Sequence, residues 1–346
     1  MKRDSNSKEL TNRILFDWLS FTTQLWNPMQ LIEFLGLDSC SWQQISGQHG
    51  YKDRYYCEGI SIHYNGREDM GVWLEMSGKG CRYYEDYGCM KWAELFTWLL
   101  SEPSDTHITR LDVAYDDFEG LLDINTIYDA VDNYDFVSRW RKCQLFKSKD
   151  TVTHEDALTV QMGSRASRCM LRIYDKKQEQ QLDDEAMKHW VRMELQLRDD
   201  DAVGFIRSYS TGIFEIGDLF LAVVNNYVRF IVPSDTDSNR WRWKMVEWWA
   251  QFIGAVERIR LVTTPGAEYT IANLEHFVID QAGQAAKTYI DIMGIDAYVK
   301  SLMEHTFHHN PKYDRVREHA AQLLRDLEDL GGEVNVTCVG DRSLLS

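Results

Sequence analysis

The chain has 346 residues, of which 44% are hydrophobic and 27% charged. That balance supports a buried core and excludes a chain disordered by composition. A net charge of −16 argues against a generally basic nucleic-acid coat, because phosphate binding draws on Lys and Arg.

The charge is uneven. Between Phe136 and Arg198, 13 Lys and Arg stand against 9 Asp and Glu, a local excess of 4 cations. Such a stretch suits a local DNA track and equally suits an ordinary solvated face. No apolar run reaches the roughly 20 residues a spanning helix needs. The longest, Leu219 to Val232, is broken by Asn225, Asn226 and Arg229. The opening MKRDSNSKEL is not followed by the apolar segment of a signal peptide. Seven scattered cysteines (Cys40, Cys57, Cys81, Cys89, Cys143, Cys169, Cys338) contain no CxxC pair. The expectation is a cytoplasmic protein with free thiols and no membrane partner.

In chain order, alternation predicts a strand over Leu15 to Phe21. Two more, Tyr55 to Tyr64 and Met70 to Ser77, read as a hairpin turned at Gly66, Glu68 and Asp69. Lys91 to Leu100 has helical spacing and stops before Pro103. Ile108 to Asp116 alternates, Ile124 to Val131 is helical, and Trp140 to Phe146 is extended. Strands follow at Leu158 to Met162, Cys169 to Lys176 and Trp190 to Leu197, with a polar helix at Lys177 to Lys188. This pattern predicts an α+β fold, a curved and largely antiparallel sheet with flanking helices.

Helical spacing then takes over. Helices are expected over Asp201 to Tyr209, Ile216 to Phe230, Arg240 to Arg260, Asn273 to Met293, Ile295 to His305 and Lys312 to Leu330. Pro233 and Ser234 to Asn239 look like a junction, which divides the chain into an α+β domain, 1–232, and a helical C-terminal region, 233–346.

Alternate residues of a strand share a face. Leu111, Val113 and Tyr115 point one way, while Arg110, Asp112, Ala114 and Asp116 point the other. Arg172, Tyr174 and Lys176 share a face opposite Leu171 and Ile173, and Arg192, Glu194 and Gln196 share one opposite Val191, Met193, Leu195 and Leu197. Any one-sided antiparallel sheet has a polar face with ordinary Arg–Glu pairs. Here three strands together offer carboxylates, which suit Mg²⁺ or Mn²⁺, and a tyrosine. At a usual pKa of about 10 a tyrosine needs a metal or nearby cations to act as a nucleophile. The turn Gly163, Ser164 and Arg165, with Arg168, offers phosphate contacts.

The run LTVQMGSRASRCMLRIYDKKQEQ (Leu158 to Gln180) with WVRMELQL (Trp190 to Leu197) resembles the Rep_trans family, the replication initiators of Gram-positive rolling-circle plasmids. Relaxase-like proteins of conjugative elements and phage initiators belong to the same family. RLDVAYDD (Arg110 to Asp117) and LEMSGKGCRYYE (Leu74 to Glu85) look like its upstream motifs, so the resemblance covers Phe16 to Leu197. It implies a site-specific DNA nicking-closing enzyme. A tyrosine attacks a phosphodiester at an origin, leaving a 5′-phosphotyrosyl link and a 3′-OH primer. Carried over by motif, the nucleophile is Tyr174, the divalent metal ligands are Asp112 and Glu194 with Asp116 a third, and Glu75 is a weaker candidate. Lys176 and Arg165 would orient the scissile phosphate. The resemblance also implies origin DNA, double- and single-stranded, as partner, a homodimer, and recruitment of a host helicase. No His–hydrophobic–His pair is present, which fits a carboxylate-based family.

Other features point less clearly. His305, His308 and His309 have metal-like spacing but no acidic or cysteine partner nearby. Trp241, Trp243, Trp248 and Trp249 suit base stacking or a core. Ser77 to Gly80 lacks the GxxxxGK[ST] pattern of a nucleotide loop. Tyr83, Tyr84 and Tyr87 are alternative nucleophiles. Asn273 to Met293 is the segment most suited to a recognition helix. Three functions compete with origin nicking: a conjugative relaxase of the same chemistry, a non-catalytic DNA-binding regulator, and a metal-dependent nuclease that uses water.

Overall fold

The computed structural model describes residues 11–101, 105–149, 156–164, 166–180, 188–256 and 283–304. In chain order these form β1 (Arg13–Thr23), α1 (Pro28–Phe34), β2 (Gln43–Ser46), β3 (Asp53–Cys57), β4 (Ile60–Tyr64), β5 (Val72–Met76), α2 (Gly78–Tyr87) and α3 (Trp92–Ser101). Then come β6 (Thr106–Asp117), α4 (Ile124–Asp132), β7 (Phe136–Ser138), β8 (Cys143–Lys149), β9 (Asp156–Met162), β10 (Cys169–Asp175), α5 (Lys176–Glu179) and β11 (Val191–Arg198). The chain continues through α6 (Asp199–Ser210), α7 (Ile216–Tyr227), β12 (Val228–Phe230) and α8 (Glu247–Val256) to α9 (Gly283–Met293) and α10 (Ile295–Glu304).

Ten strands form one sheet in the order β2-β3-β4-β5-β1-β6-β11-β10-β9-β8, every pair antiparallel. The order is symmetric about the central β1–β6 pair. Each long central strand is followed by a helix, α1 or α4. Each strand beside the pair, β5 or β11, leads into another, α2 or α6. The two halves of the sheet thus repeat one layout.

One face is apolar and carries the helices. Phe16 of β1 packs against Trp92 and Phe96 of α3 and Tyr209 of α6, with ring centroids 5.0 to 5.4 Å apart. Tyr115 of β6 meets Phe220 of α7 and Phe252 of α8. These rings, with Leu111, Val113, Leu171, Ile173, Met193 and Leu195, form one continuous core. A bulge in β1 between Phe16 and Trp18 resets the alternation, so Leu19 and Phe21 stay in the core while Trp18 and Ser20 turn to the opposite, polar face.

Several sequence expectations are corrected. Tyr55 to Tyr64 is not one strand but the β3–β4 hairpin, turned at Glu58 and Gly59, whose φ values of 47° and 89° suit a two-residue turn. The helix expected through Phe230 ends at Tyr227, and Val228–Phe230 pairs with β7 instead. In the expected Arg240 to Arg260 helix, Arg240–Arg242 forms one 3-10 turn capped by Asn239, and the α-helix begins at Glu247. Of the polar helix expected at Lys177 to Lys188, the described residues show one turn, Lys176–Glu179, and 181–187 lie outside them. The tail expected past Gly331, the Lys312 to Leu330 helix and His305, His308 and His309 also lie outside them.

The chain divides into two compact units, Met1–Thr264 and Pro265–Ser346, later than the junction expected at 232/233. Packing gives the reason: Trp249, Phe252 and Val256 of α8 are buried in the core of the first unit. In the second unit α9 and α10 pack together, with Tyr289 and Tyr298 rings 6.0 Å apart. Among the described residues, no helix is long and apolar enough to cross a membrane.

Candidate functional site

The polar face of β6, β11 and β10 gathers the expected site residues. Register sets Asp112 opposite Gln196, Ala114 opposite Glu194, and Asp116 opposite Arg192. Across the next seam Glu194 lies opposite Arg172, and Arg192 opposite Tyr174. The side chains expected to face solvent are in fact covered by one another: Asp112 is 2% exposed, Glu194 5% and Tyr174 5%. Buried charges persist only when paired, and pairing defines the site.

Tyr174 donates its hydroxyl hydrogen to Glu194 Oε2 at 3.0 Å. Arg172 Nη2 donates to both oxygens of the same carboxylate at 3.0 Å, and its guanidinium stands 5.3 Å from the Tyr174 ring centroid. Lys176 Nζ is 5.5 Å from that centroid and pairs with Glu179. Burial pushes the Tyr174 hydroxyl pKa well up, the Glu194 charge adds to the shift, and Arg192 and Arg172 oppose it. The phenol is therefore held protonated, with its hydrogen directed at the Glu194 carboxylate.

Asp112 is held by Arg110, whose Nε and Nη2 reach its two oxygens at 2.8 and 2.5 Å. Burial pushes its pKa up to about 7; Arg110 opposes this, while Glu194 and Asp17 reinforce it. The two carboxylates are thus near enough to repel. Glu75 of β5, opposite Ser20, lies on the same face, and burial raises its pKa as well.

Asp116 shares the face but has another task. Its oxygens accept from Arg192 at 2.6 and 2.9 Å, from Arg13 at 2.9 Å and from Trp190 Nε1 at 2.8 Å. Burial alone would raise its pKa, yet these partners hold it below the usual carboxylate range. Arg192 also reaches Asp17 at the β1 bulge, at 2.8 Å. A carboxylate with four donors has no free lone pair directed at a metal, so the expected third ligand is a clamp joining β1, β6 and β11. Sequence alternation placed Arg192 on this face; only the register reveals its partners.

Arg165 lies outside the described residues. Arg168 is paired with Asp200 and Asp201 of α6 at 3.1 and 3.0 Å rather than standing free. Tyr83 and Tyr84 are buried on α2, on the helix-covered side, and Tyr115 lies in the core. Trp249 is likewise core, while Trp241 is exposed.

Among the described residues no group of three or more His, Cys, Asp and Glu side chains is arranged to hold an ion. Mg²⁺ is commonly bound by one or two protein carboxylates, with waters and substrate phosphates completing the shell. Asp112 and Glu194 stand one register step apart on neighbouring strands of one face, a placement compatible with that mode of binding.

Comparison with known proteins identifies relatives of the chain. Residues 106–303 match the family described as replication initiation factor, and residues 13–100 match the rolling circle replication initiation protein N-terminal domain. The chain is 32% identical over 238 residues to "Putative DNA relaxase NicK" of Bacillus subtilis (strain 168), an alignment spanning 65% of this chain and 65% of that protein's length. It is similar to the solved rolling circle replication initiator protein from Geobacillus stearothermophilus, with a TM-score of 0.67 and 30% identity, over 72% of this chain and 98% of that one. With more than half its length matched, the chain belongs to the replication initiation factor family of rolling-circle replication.

Proposed function

We propose that this protein nicks one strand of DNA at a replication origin by attack of Tyr174 on a phosphodiester. The Tyr174 oxygen bonds to phosphorus, the bond from phosphorus to the 3′-oxygen breaks, and that oxygen takes up a proton. The products are a 5′-phosphotyrosyl link and a free 3′-OH able to prime synthesis. The observation that carries this reading is the hydrogen bond from the Tyr174 hydroxyl to Glu194 Oε2, on a sheet face shared with Asp112.

Glu194 orients the phenol and accepts its proton as the bond to phosphorus forms. Arg172 fixes that carboxylate by a two-oxygen contact, which keeps the acceptor in place through the reaction. Arg172 and Lys176, both beside the Tyr174 ring, supply positive charge where the phosphoryl oxygens gain negative charge. Asp112 and Glu194 are the residues that would hold Mg²⁺ or Mn²⁺. When bound, such an ion polarises a phosphoryl oxygen and offsets developing charge.

The same chemistry serves strand transfer by a relaxase, and the name of the Bacillus subtilis relative favours that as the second reading. The test uses single-stranded oligonucleotides tiled across the DNA around the coding sequence, with Mn²⁺, resolved on a denaturing gel. Wild type should yield a covalent protein–DNA adduct and Tyr174→Phe none. An adduct surviving the substitution moves the nucleophile; cleavage without adduct points to a water-using nuclease, and binding alone to a regulator.

A further inference from the structure

We propose that Phe146 is a stacking platform for a base of single-stranded DNA, and that the strand leaves Tyr174 over β9 and β8. The proposal rests on the reading of Tyr174 as nucleophile and adds the path of its substrate.

Phe146 belongs to β8, the edge strand of the sheet. It lies opposite Thr159 of β9, and Thr159 lies opposite Tyr174 of β10. Residues directly opposite share a face, so Phe146 and Tyr174 stand in one row on the polar face. Neighbouring strands are about 4.8 Å apart, which sets the two backbones about 10 Å apart. That is about three base steps of roughly 3.4 Å each, a span that a few unstacked nucleotides cover. Thr159, between them, is half-buried and too small to divide the row.

Phe146 is 48% exposed. A single exposed ring is ordinary on a protein surface; its setting sets this one apart. The chain carries 54 acidic against 38 basic residues. Yet on the polar face β8 and β9 present Gln144, Phe146, Ser148, Ala157, Thr159 and Gln161, with no carboxylate. Strand β10 adds Arg172 beside Tyr174. The carboxylates of the face, Asp112, Asp116, Glu194 and Glu75, gather on the other side of Tyr174. In the turn after β10, Asp175 accepts from the Gln178 N–H and Glu179 pairs with Lys176, so both acids are engaged. A phosphate backbone therefore meets repulsion toward β6 and β1 and little toward β8. The route lies within Phe136 to Arg198, where 13 Lys and Arg stand against 9 Asp and Glu. Every base has a flat face that stacks on an aromatic ring whatever the sequence. An exposed ring on an uncharged, hydrogen-bonding surface next to the nucleophile suits a single strand.

The experiment uses the full chain carrying Tyr174→Phe, so that no cleavage intervenes, and a short fluorescent oligothymidylate as probe. Binding is read by anisotropy. Phe146→Ala and Phe146→Leu should each weaken it about tenfold, within the range of one base–aromatic stack. Phe146→Trp should stay within about twofold of the parent, because it keeps an aromatic face. Phe214→Ala removes a ring of similar exposure, 49%, between α6 and α7, and should change nothing. In parallel the probe carrying 5-iodouracil is cross-linked to the parent by ultraviolet light, and the modified peptide, expected to contain Phe146, is identified. Unchanged affinity in Phe146→Leu, an equal loss in Phe146→Trp, no binding by the parent, or a cross-link confined to Trp190, Trp18 or any other residue overturns the platform. The cross-link needs no substitution in β8, so it decides if a variant there misfolds. Wild-type adduct formation separates the two readings. Phe146-dependent binding without any adduct sinks the nicking reading and leaves the platform standing; an adduct with binding indifferent to Phe146 does the reverse.

Discussion

In the N-terminal half of the sheet Glu75 faces Ser20 and Ser61; in the C-terminal half Glu194 faces Ala114 and Arg172. Both glutamates stand on the strand next to the central pair, on the same polar face. One register step on, His63 faces Trp73 in the first half, and Tyr174 faces Arg192 in the second. His63 stacks on Trp73 with centroids 4.5 Å apart, and burial, aided by Arg54 and His49, pushes its pKa down to about 4. The first half thus closes its face with neutral stacked rings, beneath Tyr51. The second half closes it with ion pairs around a tyrosine. One strand layout supports both, so the scaffold fixes positions and the side chains on its face decide the chemistry.

The comparison breaks first at the tyrosine. Tyr174→Phe should reduce adduct formation by about 10³-fold or more, since losing a nucleophile removes the covalent route. Stability tests it next. Arg192→Met leaves Asp116 buried and short of its main partner, so it should cost about 3–5 kcal/mol, read by denaturant unfolding. The stacked first half has no ion pair of that kind at Trp73.

Matched glutamate variants sharpen the contrast. Glu194→Gln should lower adduct formation by about 10²-fold or more, the scale seen when a general base is lost. Glu75→Gln should change it by no more than about twofold, as a neutral substitution does. Equal losses would mean that both halves take part in the chemistry.

The smallest effect is on pH dependence. The last residue of β6, Asp117, meets His189 at 3.2 Å, whereas Thr23, the last of β1, meets Thr106 through hydroxyls. The hydrogen bond to Asp117 raises the His189 pKa against the opposing effect of burial. A raised folded-state pKa stabilises fully below the unfolded value of about 6.5, and the contribution is lost as pH rises through the folded value. The pair is partly exposed, so the contribution should be under about 1 kcal/mol. Melting of wild type and His189→Gln should differ at pH 6 and converge at alkaline pH, while Thr23→Val shows no such trend.

Much of this was legible in the sequence. Strands β6, β10 and β11 alternate without interruption, so Asp112, Tyr174 and Glu194 could each be placed on the polar face of its own strand from spacing, while their roles came from the family resemblance and their meeting on one sheet face from the register. The β3–β4 hairpin was hidden because its two-residue turn at Glu58 and Gly59 preserves the alternation it interrupts. Val228–Phe230 was hidden because a few apolar residues after a helix satisfy either period. The clamp of Asp116 by Arg192, Arg13 and Trp190 depends on strand register and on the β1 bulge, which no local pattern encodes. The repeat of the two halves lies in the order of strands, not in similar residues.

The most direct test of the central claim, that the chemistry lies in the second half alone, is to digest the trapped protein–DNA adduct and identify the nucleotide-bearing peptide by mass spectrometry. The account predicts a single modified peptide containing Tyr174. A nucleotide on Tyr55, Tyr56 or Tyr64 of the first half, or on any residue other than Tyr174, would contradict it.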